Sequence, residues 1–344
     1  MYLKILRTET VAENAVSIYF EKPDAFAFKA GQHGLFSFSI NGERFDRTYS
    51  FHTAPYESEL GITVRAIENG IVSNFLQNIK PGISIQLQAI GGSFILEPIR
   101  FQKRHLIMFA AGAGITPIFP MIKTLLAHEA QASLSLIYSN KNSHRIIFRD
   151  ELHSLQAAFP DRLKVYHVLT QPESAPADFS VFYKGRLSPL IIRQSLKKIR
   201  SEVESSIEYF ACGPNDLIDI VERAIQTIDP VASLQKEVFF TGNAQTEFDF
   251  DGLVDREIIL HVGGDEKLVI VKRGQSILQA TREHSITVPF SCTEGQCGTC
   301  RAKLVSGDVR HRKNHILTRD ELNAGYILLC QGFPVSDGVT IRTS

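Results

Sequence analysis

The chain has 344 residues, and its 37 basic side chains balance 37 acidic ones. This length exceeds one ordinary hydrophobic core and suits two or three domains, while a net charge near zero excludes a global field that would recruit nucleic acid. The first 20 residues alternate apolar and polar side chains, and no stretch is as long and apolar as a signal sequence or a membrane-spanning helix. We therefore expect a cytoplasmic protein with no nucleic-acid partner and no membrane span.

Residues 1–102 predict a small antiparallel β-barrel. Turn signals such as Asn41-Gly42 and Lys80-Pro81-Gly82 separate short segments in which apolar residues recur at every second position. The predicted strands are 2–9, 15–21, 33–40, 44–51, 60–67 and 84–90, with one short helical segment at 70–78. Six such strands are typical of a closed all-β domain.

Residues 103–240 predict an α/β domain with a doubly wound parallel sheet. Continuous apolar runs, typical of buried strands, occupy 105–110, 134–139, 163–170 and 207–212. Helical patterns lie between them, from the glycine loop to Leu126 and near 146–158, 188–199 and 214–227. Ser188-Pro189 reads as a cap followed by a first-turn proline. Strands that alternate with helices indicate this sheet type.

The last part of the chain predicts a linker, 241–256, followed by a compact α+β module of β-grasp type, 257–344. A hairpin (EIILHV, KLVIV) and a helix (SILQATREHS) precede a cysteine-rich loop. The segments RAKLV and ILLC follow as strands, with a capping box at Thr318 and Glu321 between them.

Four of the five cysteines are spaced C-x4-C-x2-C-x29-C, at Cys292, Cys297, Cys300 and Cys330. A structural zinc site would more often use two short C-x2-C pairs, and a secreted disulfide scaffold would be shorter. The spacing is that of plant-type ferredoxins, whose cysteines ligate a 2Fe–2S cluster. Glycines in this loop free backbone N–H groups to meet the negative charge of the cluster. We predict a 2Fe–2S site.

The segment AAGAGITP follows a strand and opens a helix, which is where a pyrophosphate binds in α/β domains. Gly112 and Gly114 allow a close approach of the backbone, and we expect Thr116 as helix cap with Pro117 in the first turn. Proline stands where the dinucleotide fingerprint has its third glycine. Cys212 ends a predicted strand, and the residues alone indicate a buried small hydrophobe, the usual place of a free cysteine.

The tetrapeptide Arg47-Thr48-Tyr49-Ser50 ends a predicted barrel strand. It offers a guanidinium for a phosphate, an aromatic face for stacking and a hydroxyl, although an ordinary exposed arginine and a half-buried tyrosine would look the same.

Taken in this order, RTYS, GAGITP, CGP and the four cysteines resemble the ferredoxin–NADP reductase superfamily with a C-terminal plant-type ferredoxin. The layout is similar to the reductase components of bacterial multicomponent oxygenases, among them the group that serves phenylacetyl-CoA monooxygenase (epoxidase). GQH at 31–33 and ELNAGYILLCQGFPVSDGV around Cys330 carry the latter similarity.

This resemblance implies roles for individual residues. The residues implied to bind flavin, FAD rather than FMN, are Arg47, Thr48, Tyr49, Ser50, Gly70, Ser73, Glu237 and Phe239. Those implied to bind the pyridine nucleotide are Gly112, Gly114, Thr116, Pro117, Gly213 and Pro214. Ser50 and Cys212 are implied to act at the flavin and at the nicotinamide.

The stretch SNKNSHR, 139–145, follows the second strand of the α/β domain and contains no acid that could grip the ribose hydroxyls of NADH. Ser139, Lys141 and Arg145 instead favour the 2′-phosphate of NADPH.

The resemblance implies an enzyme that passes electrons from NAD(P)H to FAD, to the cluster and then to a separate oxygenase. Other acceptors, such as a hybrid-cluster protein, a desaturase or a steroid hydroxylase, remain open, as does a structural zinc module. The basic run 310–313 indicates either a docking patch for an acidic partner or a solvated turn.

Overall fold

The computed structural model describes residues 1–172, 183–239, 248, 250–290, 293, 295, 298–314, 316, 317 and 319–343. The chain divides into two compact units, Met1–Thr241 and Gly242–Ser344. In the described residues, no helix is both long enough and apolar enough to cross a bilayer.

The first unit begins with the predicted antiparallel barrel. Its strands are β1 (Tyr2–Ala12), β2 (Ala15–Glu21), β3 (His33–Ile40), β4 (Glu43–Ser50), β5 (Glu59–Arg65) and β6 (Ser84–Gly91), in the order β4-β3-β6-β1-β2-β5. An antiparallel bridge between Phe51 and Ile62 joins the two edges of this sheet. Alternate residues such as Ile18, Phe36 and Leu60 point inward and are fully buried. Helix α1 (Ile71–Gln77) follows β5.

The parallel sheet of the first unit lies next along the chain, as predicted. Its strands are β7 (Arg104–Ala111), β8 (Ser133–Asn140), β9 (Leu163–Leu169), β10 (Tyr183–Lys184), β11 (Ser206–Gly213) and β12 (Leu234–Val238), in the order β10-β9-β8-β7-β11-β12. The helices are α2 (Ile115–His128), α3 (Arg149–Ala158), α4 (Pro189–Ser201) and α5 (Asn215–Ile228).

Separate hydrophobic clusters form the two faces of this sheet, because neighbouring residues on a strand point to opposite sides. Met108 of β7 lies in one cluster, whereas Ile107 and Phe109 lie in the other. The strand order reverses between β7 and β11, where a doubly wound sheet leaves a crevice at its carboxyl edge. As predicted, Ser188 caps α4 by accepting a hydrogen bond from the Ile191 N–H.

The second unit contains the predicted α+β module. A five-stranded sheet has the order β14-β13-β19-β15-β17, and β16 pairs with β18. The elements are β13 (Arg256–Val262), β14 (Asp265–Val271), α6 (Ile277–Glu283), β15 (Arg301–Ser306), β16 (Val309–His311), α7 (Arg319–Asn323), β17 (Tyr326–Leu328), β18 (Gly332–Pro334) and β19 (Thr340–Thr343). Ser276 and Gln279 form a capping box at α6, whereas Thr318 of the predicted box lies outside the described residues.

Part of the predicted linker packs on this second unit. The rings of Phe248 and Phe250 lie 4.8 Å and 5.8 Å from that of Phe333, and Leu253 is buried. These apolar residues are therefore part of the module's fold, while residues 240–247 and 249 lie outside the described part of the chain.

Candidate functional site

The glycine loop lies at the crevice between β7 and β11. Gly112–Gly114 form a single 3₁₀ turn, in which Gly112 has φ +52°, a left-handed value that suits glycine. A Cβ on Gly114 would lie 2.2 Å from the Cys212 carbonyl oxygen, so only glycine lets the two strand ends approach this closely. The buried Tyr138 hydroxyl donates a hydrogen bond of 2.9 Å to the Gly112 carbonyl and fixes the loop.

The expected capping role of Thr116 is wrong. The 3₁₀ turn runs directly into α2, whose N-cap is Gly114, so Thr116 is already the second helical residue. Its hydroxyl donates a hydrogen bond to the Ala113 carbonyl at 3.0 Å instead of accepting one from a backbone N–H. Pro117 is the third residue of α2 and thus lies in the first turn, as predicted.

Cys212 is fully buried at the carboxyl end of β11 and faces Glu237 of β12 in register. Its thiol donates a long, weak hydrogen bond to Glu237 Oε2, with an Sγ–O distance of 4.0 Å. Burial, and then the nearby Glu237 carboxylate, raise the pKa of the Cys212 thiol well above its usual value. The thiol is therefore neutral at physiological pH and is poorly suited to act as a nucleophile.

The same glutamate reaches the barrel. Its Oε1 lies 3.5 Å from Nδ1 of His33, a side chain that is only 3% exposed. His33 pairs in register with Ser50 across β3 and β4. The two residues predicted to act in catalysis, Ser50 and Cys212, thus lie at the two ends of one series of neighbours, Ser50–His33–Glu237–Cys212.

Sequence reasoning did not assign a role to His33. A lone histidine on a strand reads as a core residue, and only the GQH similarity marked it. Two further predicted residues, Phe239 for the flavin and Pro214 for the pyridine nucleotide, directly follow the strands β12 and β11. Phe239 donates its N–H to the Gly213 carbonyl at 2.8 Å, and Pro214 is the N-cap residue of α5.

The RTYS residues alternate across β4. Tyr49 packs against Phe36 and Phe38, with ring centroids 6.3 Å and 6.1 Å apart, and burial raises the pKa of its hydroxyl, which stays protonated. Arg47 is exposed, and one of its N–H groups donates to the Asp46 carbonyl. Among the described residues no carboxylate lies within 4.0 Å of its guanidinium. An exposed guanidinium and a neutral phenol on one face fit a flavin with its phosphate. Thr48 and Ser50, also predicted to bind flavin, alternate to the other face of the strand, so their contact with the flavin stays a prediction.

Gly70 and Ser73 lie at the start of α1. A Cβ on Gly70 would lie 2.4 Å from Ser73 Oγ, so glycine makes room for this hydroxyl. The Ser73 hydroxyl accepts a hydrogen bond from the Ile67 N–H at 3.3 Å, and the Asn74 amide donates to the Gly70 carbonyl at 2.7 Å. These bonds order the loop, and the binding of flavin pyrophosphate here stays a prediction.

The three residues predicted to select NADPH lie at and after the end of β8. Ser139 is half-buried, Lys141 is exposed, and Arg145 lies in a 3₁₀ turn in which its N–H donates to the Asn142 side chain. Arg145 Nε also lies 3.6 Å from a carboxylate oxygen of Glu13 in the barrel. A 2′-phosphate would have to compete with this surface ion pair, whose strength is small.

Two of the four predicted cluster ligands, Cys300 and Cys330, lie in the described residues, and both are buried in the core of the second unit. Cys292 and Cys297 lie outside the described residues. Thr293, Gly295 and Gly298 have φ values of 59°, 72° and 70°, so this loop repeatedly adopts the left-handed region. Such turns point successive N–H groups inward, which fits an anionic iron–sulfur cluster better than a neutral core.

Comparison with known proteins agrees with these three sites. The family models for an oxidoreductase FAD-binding domain, an oxidoreductase NAD-binding domain and a 2Fe-2S iron-sulfur cluster binding domain match residues 3–95, 108–223 and 260–335.

Similar proteins cover the whole chain. The chain is 30% identical to a component of 1,2-phenylacetyl-CoA epoxidase from Escherichia coli K12, over 98% of this chain and 96% of that protein. It is 29% identical, with the same coverage, to the ferredoxin reductase component of 3-ketosteroid-9-alpha-monooxygenase from Rhodococcus rhodochrous. The solved structure of phthalate dioxygenase reductase shares the fold, with a TM-score of 0.64 at 23% identity over 99% of this chain and 97% of that one.

A flavin barrel, a nucleotide-binding sheet and an iron–sulfur module on one chain define an oxidoreductase that acts on NAD(P)H with FAD and a 2Fe–2S cluster. The chain belongs to the ferredoxin–NADP reductase superfamily, among the members that carry a 2Fe–2S ferredoxin domain.

Proposed function

We propose that this chain is the reductase component of an oxygenase system, which takes electrons from NADPH and delivers them to a separate oxygenase. When bound, FAD would accept the two electrons of a hydride and release them one at a time to a cluster that carries single electrons. The observation that carries the proposal is the series Ser50–His33–Glu237–Cys212, because it connects the end of β4 in the barrel with the carboxyl edge of the nucleotide sheet.

In this scheme the chain's own residues position the nicotinamide at the crevice and shield it from water. Gly114 and Gly213 leave room at the crevice, and the neutral Cys212 thiol offers the nicotinamide an apolar, uncharged neighbour. The Glu237 carboxylate lies 3.5 Å from His33 Nδ1, and His33, whose side chain is only 3% exposed, pairs with Ser50 across the barrel strands. No side chain needs to form a covalent bond in this scheme.

The nucleotide preference rests on Lys141 and Arg145. We expect kcat/KM for NADPH to exceed that for NADH, and Arg145→Ala to reduce the NADPH value by about tenfold with little change for NADH, since a phosphate contact contributes roughly 1–2 kcal/mol. Arg149→Ala, which removes a half-buried arginine of the neighbouring helix, is the matched control. A wild-type protein that clearly prefers NADH contradicts the preference.

The partner is proposed to be a phenylacetyl-CoA epoxidase or a related ring or aliphatic monooxygenase, on the strength of the 30% identical relative. The steroid monooxygenase reductase at 29% keeps a steroid hydroxylase as the second candidate, and a hybrid-cluster protein or a desaturase remains an alternative acceptor.

Reconstitution with purified oxygenases tests both parts. NADPH oxidation should be coupled to product formation with the true partner and uncoupled with the others. Cys297→Ser should abolish transfer to the oxygenase but spare NADPH-dependent reduction of ferricyanide, a small acceptor that the flavin can reduce directly. Loss of both reactions in this variant would contradict the proposed order of electron transfer.

A further inference from the structure

The basic segment around β16 lies directly against the predicted cluster site. The Arg312 N–H donates to the carbonyl of Gln331, the neighbour of Cys330, at 2.9 Å. The Gln331 side chain in turn donates to the Thr293 carbonyl at 2.6 Å. A Cβ on Gly295 would lie 2.9 Å from the Lys313 carbonyl oxygen. This segment therefore contacts both the cysteine loop and the turn that carries Cys330.

The pairing of β16 with β18 directs two arginines outward. Val309 and His311 are half-buried, whereas Arg310 and Arg312, which alternate with them, are exposed. The His311 ring accepts a hydrogen bond from the Leu328 N–H through Nε2, at 2.9 Å, and burial lowers the pKa of this histidine. His311 is thus a neutral support, and the arginines carry the charge.

Charge is concentrated around this segment. Residues 298–321 contain six basic side chains and three acidic ones, of which Glu321 pairs with Arg301, whereas residues 247–297 contain nine acidic and five basic ones. Within the described part of the second unit, no carboxylate lies within 4.0 Å of the guanidinium of Arg310 or Arg312. Their field is therefore available to a partner.

An exposed apolar side chain follows the basic segment in the chain, at Ile316. Ile316 is 39% exposed, and its side chain lies 3.5 Å from the position that a Cβ on Gly298 would take. Ile316 thus lies over the cysteine loop itself. Protein interfaces combine apolar contacts with a polar rim, and arginine is enriched in them relative to the rest of the surface.

We propose that Arg310, Arg312 and Ile316, here named the basic flank, dock an acidic surface of the protein that accepts electrons from the cluster. This rests on the proposed function, in which electrons leave the chain at the cluster. An acceptor must approach the cluster closely, and one that covers the cysteine loop must meet the basic flank. Opposite charges there speed encounter and fix orientation, whereas like charges on the partner would oppose contact.

The test uses the full-length holoprotein and two soluble one-electron acceptors of opposite charge, cytochrome b5 (acidic) and cytochrome c (basic). Dissociation constants are measured by calorimetry with all proteins oxidised, so that no turnover is involved. The variant Arg310→Glu/Arg312→Glu should weaken binding of cytochrome b5 by about tenfold at low ionic strength, with a smaller effect at high ionic strength. Binding of cytochrome c should tighten.

The matched control is Lys267→Glu/Arg273→Glu, which makes the same change in net charge at β14 and the turn after it. β14 forms the opposite edge of the five-stranded sheet from β17. This control should leave both affinities within about twofold of wild type, since screening limits distant charges. The docking proposal would be overturned if the two double variants had equal effects on the affinities, or if neither had an effect. It would also be overturned if the wild-type protein bound a DNA duplex as tightly as it binds cytochrome b5.

Two further measurements distinguish a loss of docking charge from a loss of the cluster. Arg310→Gln/Arg312→Gln should give an intermediate loss, and the visible spectrum of each variant should show the intact cluster. If NADPH does not bleach the cluster of the wild-type protein, the proposed function fails. If NADPH bleaches the cluster but substitution of the arginines leaves the affinities unchanged, only the docking proposal fails.

Discussion

Gly114 and Cys212 lie closer together than any side chain larger than hydrogen would allow. A Cβ on Gly114 would stand 2.2 Å from the carbonyl oxygen of Cys212 and 2.6 Å from its carbonyl carbon. Both neighbours are backbone atoms of a central strand, so they cannot swing away as the end of a flexible side chain could. The nucleotide crevice therefore has a fixed width that depends on one missing methyl group.

Gly114→Ala should consequently separate the two strand ends. We expect a loss of about 1–3 kcal/mol in unfolding free energy, typical of overpacking, and a rise of at least about tenfold in KM for NADPH. Gly112→Ala is the comparison, because its Cβ would meet only Arg65 at 3.8 Å and the cost is that of a left-handed alanine, about 1 kcal/mol. Denaturation and steady-state kinetics measure both; equal effects of the two variants would contradict the close-contact explanation.

Cys212 should resist alkylation in the folded protein. Burial and the Glu237 carboxylate raise the pKa of its thiol above the ordinary value of 9.0, so the reactive thiolate is absent near neutral pH. Because the folded state retains this proton longer than the unfolded state, the thiol's contribution to stability is lost as the pH rises above about 9. Mass spectrometry of the Cys212 peptide after iodoacetamide treatment should show labelling only with denaturant.

Glu237→Gln is the companion variant. It removes the smaller of the two causes and leaves burial in place, so the native thiol should remain unlabelled. Rapid labelling of Cys212 in the native wild-type protein would show that the thiol is ionised.

His105 should make the nucleotide-binding sheet sensitive to acid. Its ring contacts the hydroxyls of Ser133 and Ser135 at 2.8 Å and 3.0 Å, and burial lowers its pKa from 6.5 to about 4. Between these pH values the unfolded state binds a proton at His105 that the folded state does not bind. The free energy of unfolding therefore falls as the pH drops from 6.5 towards 4, by up to about 3 kcal/mol.

Urea denaturation near pH 7 and near pH 4 measures this loss. His105→Asn should shrink the difference between the two conditions, even if it lowers stability at both. His128→Asn, at an exposed helix end, should leave the difference as in wild type. An unchanged pH dependence in His105→Asn would assign the acid sensitivity to other groups.

Removing one partner of a buried ion pair should strongly destabilise the same domain. Arg104 donates to Glu129 at 2.6 Å and to Glu208 at 2.8 Å, and the Arg104 and Glu129 side chains are 3% and 0% exposed. Arg104→Met would leave the Glu129 carboxylate buried without its partner, at a cost of about 3–5 kcal/mol. Arg149→Met breaks a largely exposed pair with Asp150 and should cost less than about 1 kcal/mol, and chemical denaturation compares the two.

Much of the fold was predictable because pattern and turn chemistry agreed. Strands 15–21 and 33–40 were predicted with the observed ends, since each is rich in apolar, β-branched or aromatic residues and is bounded by turns. The short strands β12, β16, β18 and β19 were missed. They have three to five residues, too few for a period to emerge, and their pairing with distant segments decides their conformation.

The site was predictable only where a motif is local. The glycine loop and the cysteine spacing are contiguous signals, so their positions follow from the chain. The contact of His33 with Glu237 joins residues 204 positions apart (237 − 33), and no local sequence pattern predicts it. The helix start at Ile115, before the predicted cap Thr116, was missed because a preceding 3₁₀ turn has no distinct sequence signal.

Because β11 lies beside β7 in the sheet but far from it in sequence, the ribosome completes the crevice between them much later than the barrel. The barrel has all six strands once Gly91 has emerged, whereas the crevice lacks one wall until Gly213 follows, 122 residues later (213 − 91). At about 5–20 residues per second this delay is roughly 6–24 s. A nascent chain can therefore close its barrel well before it has any place to hold a dinucleotide.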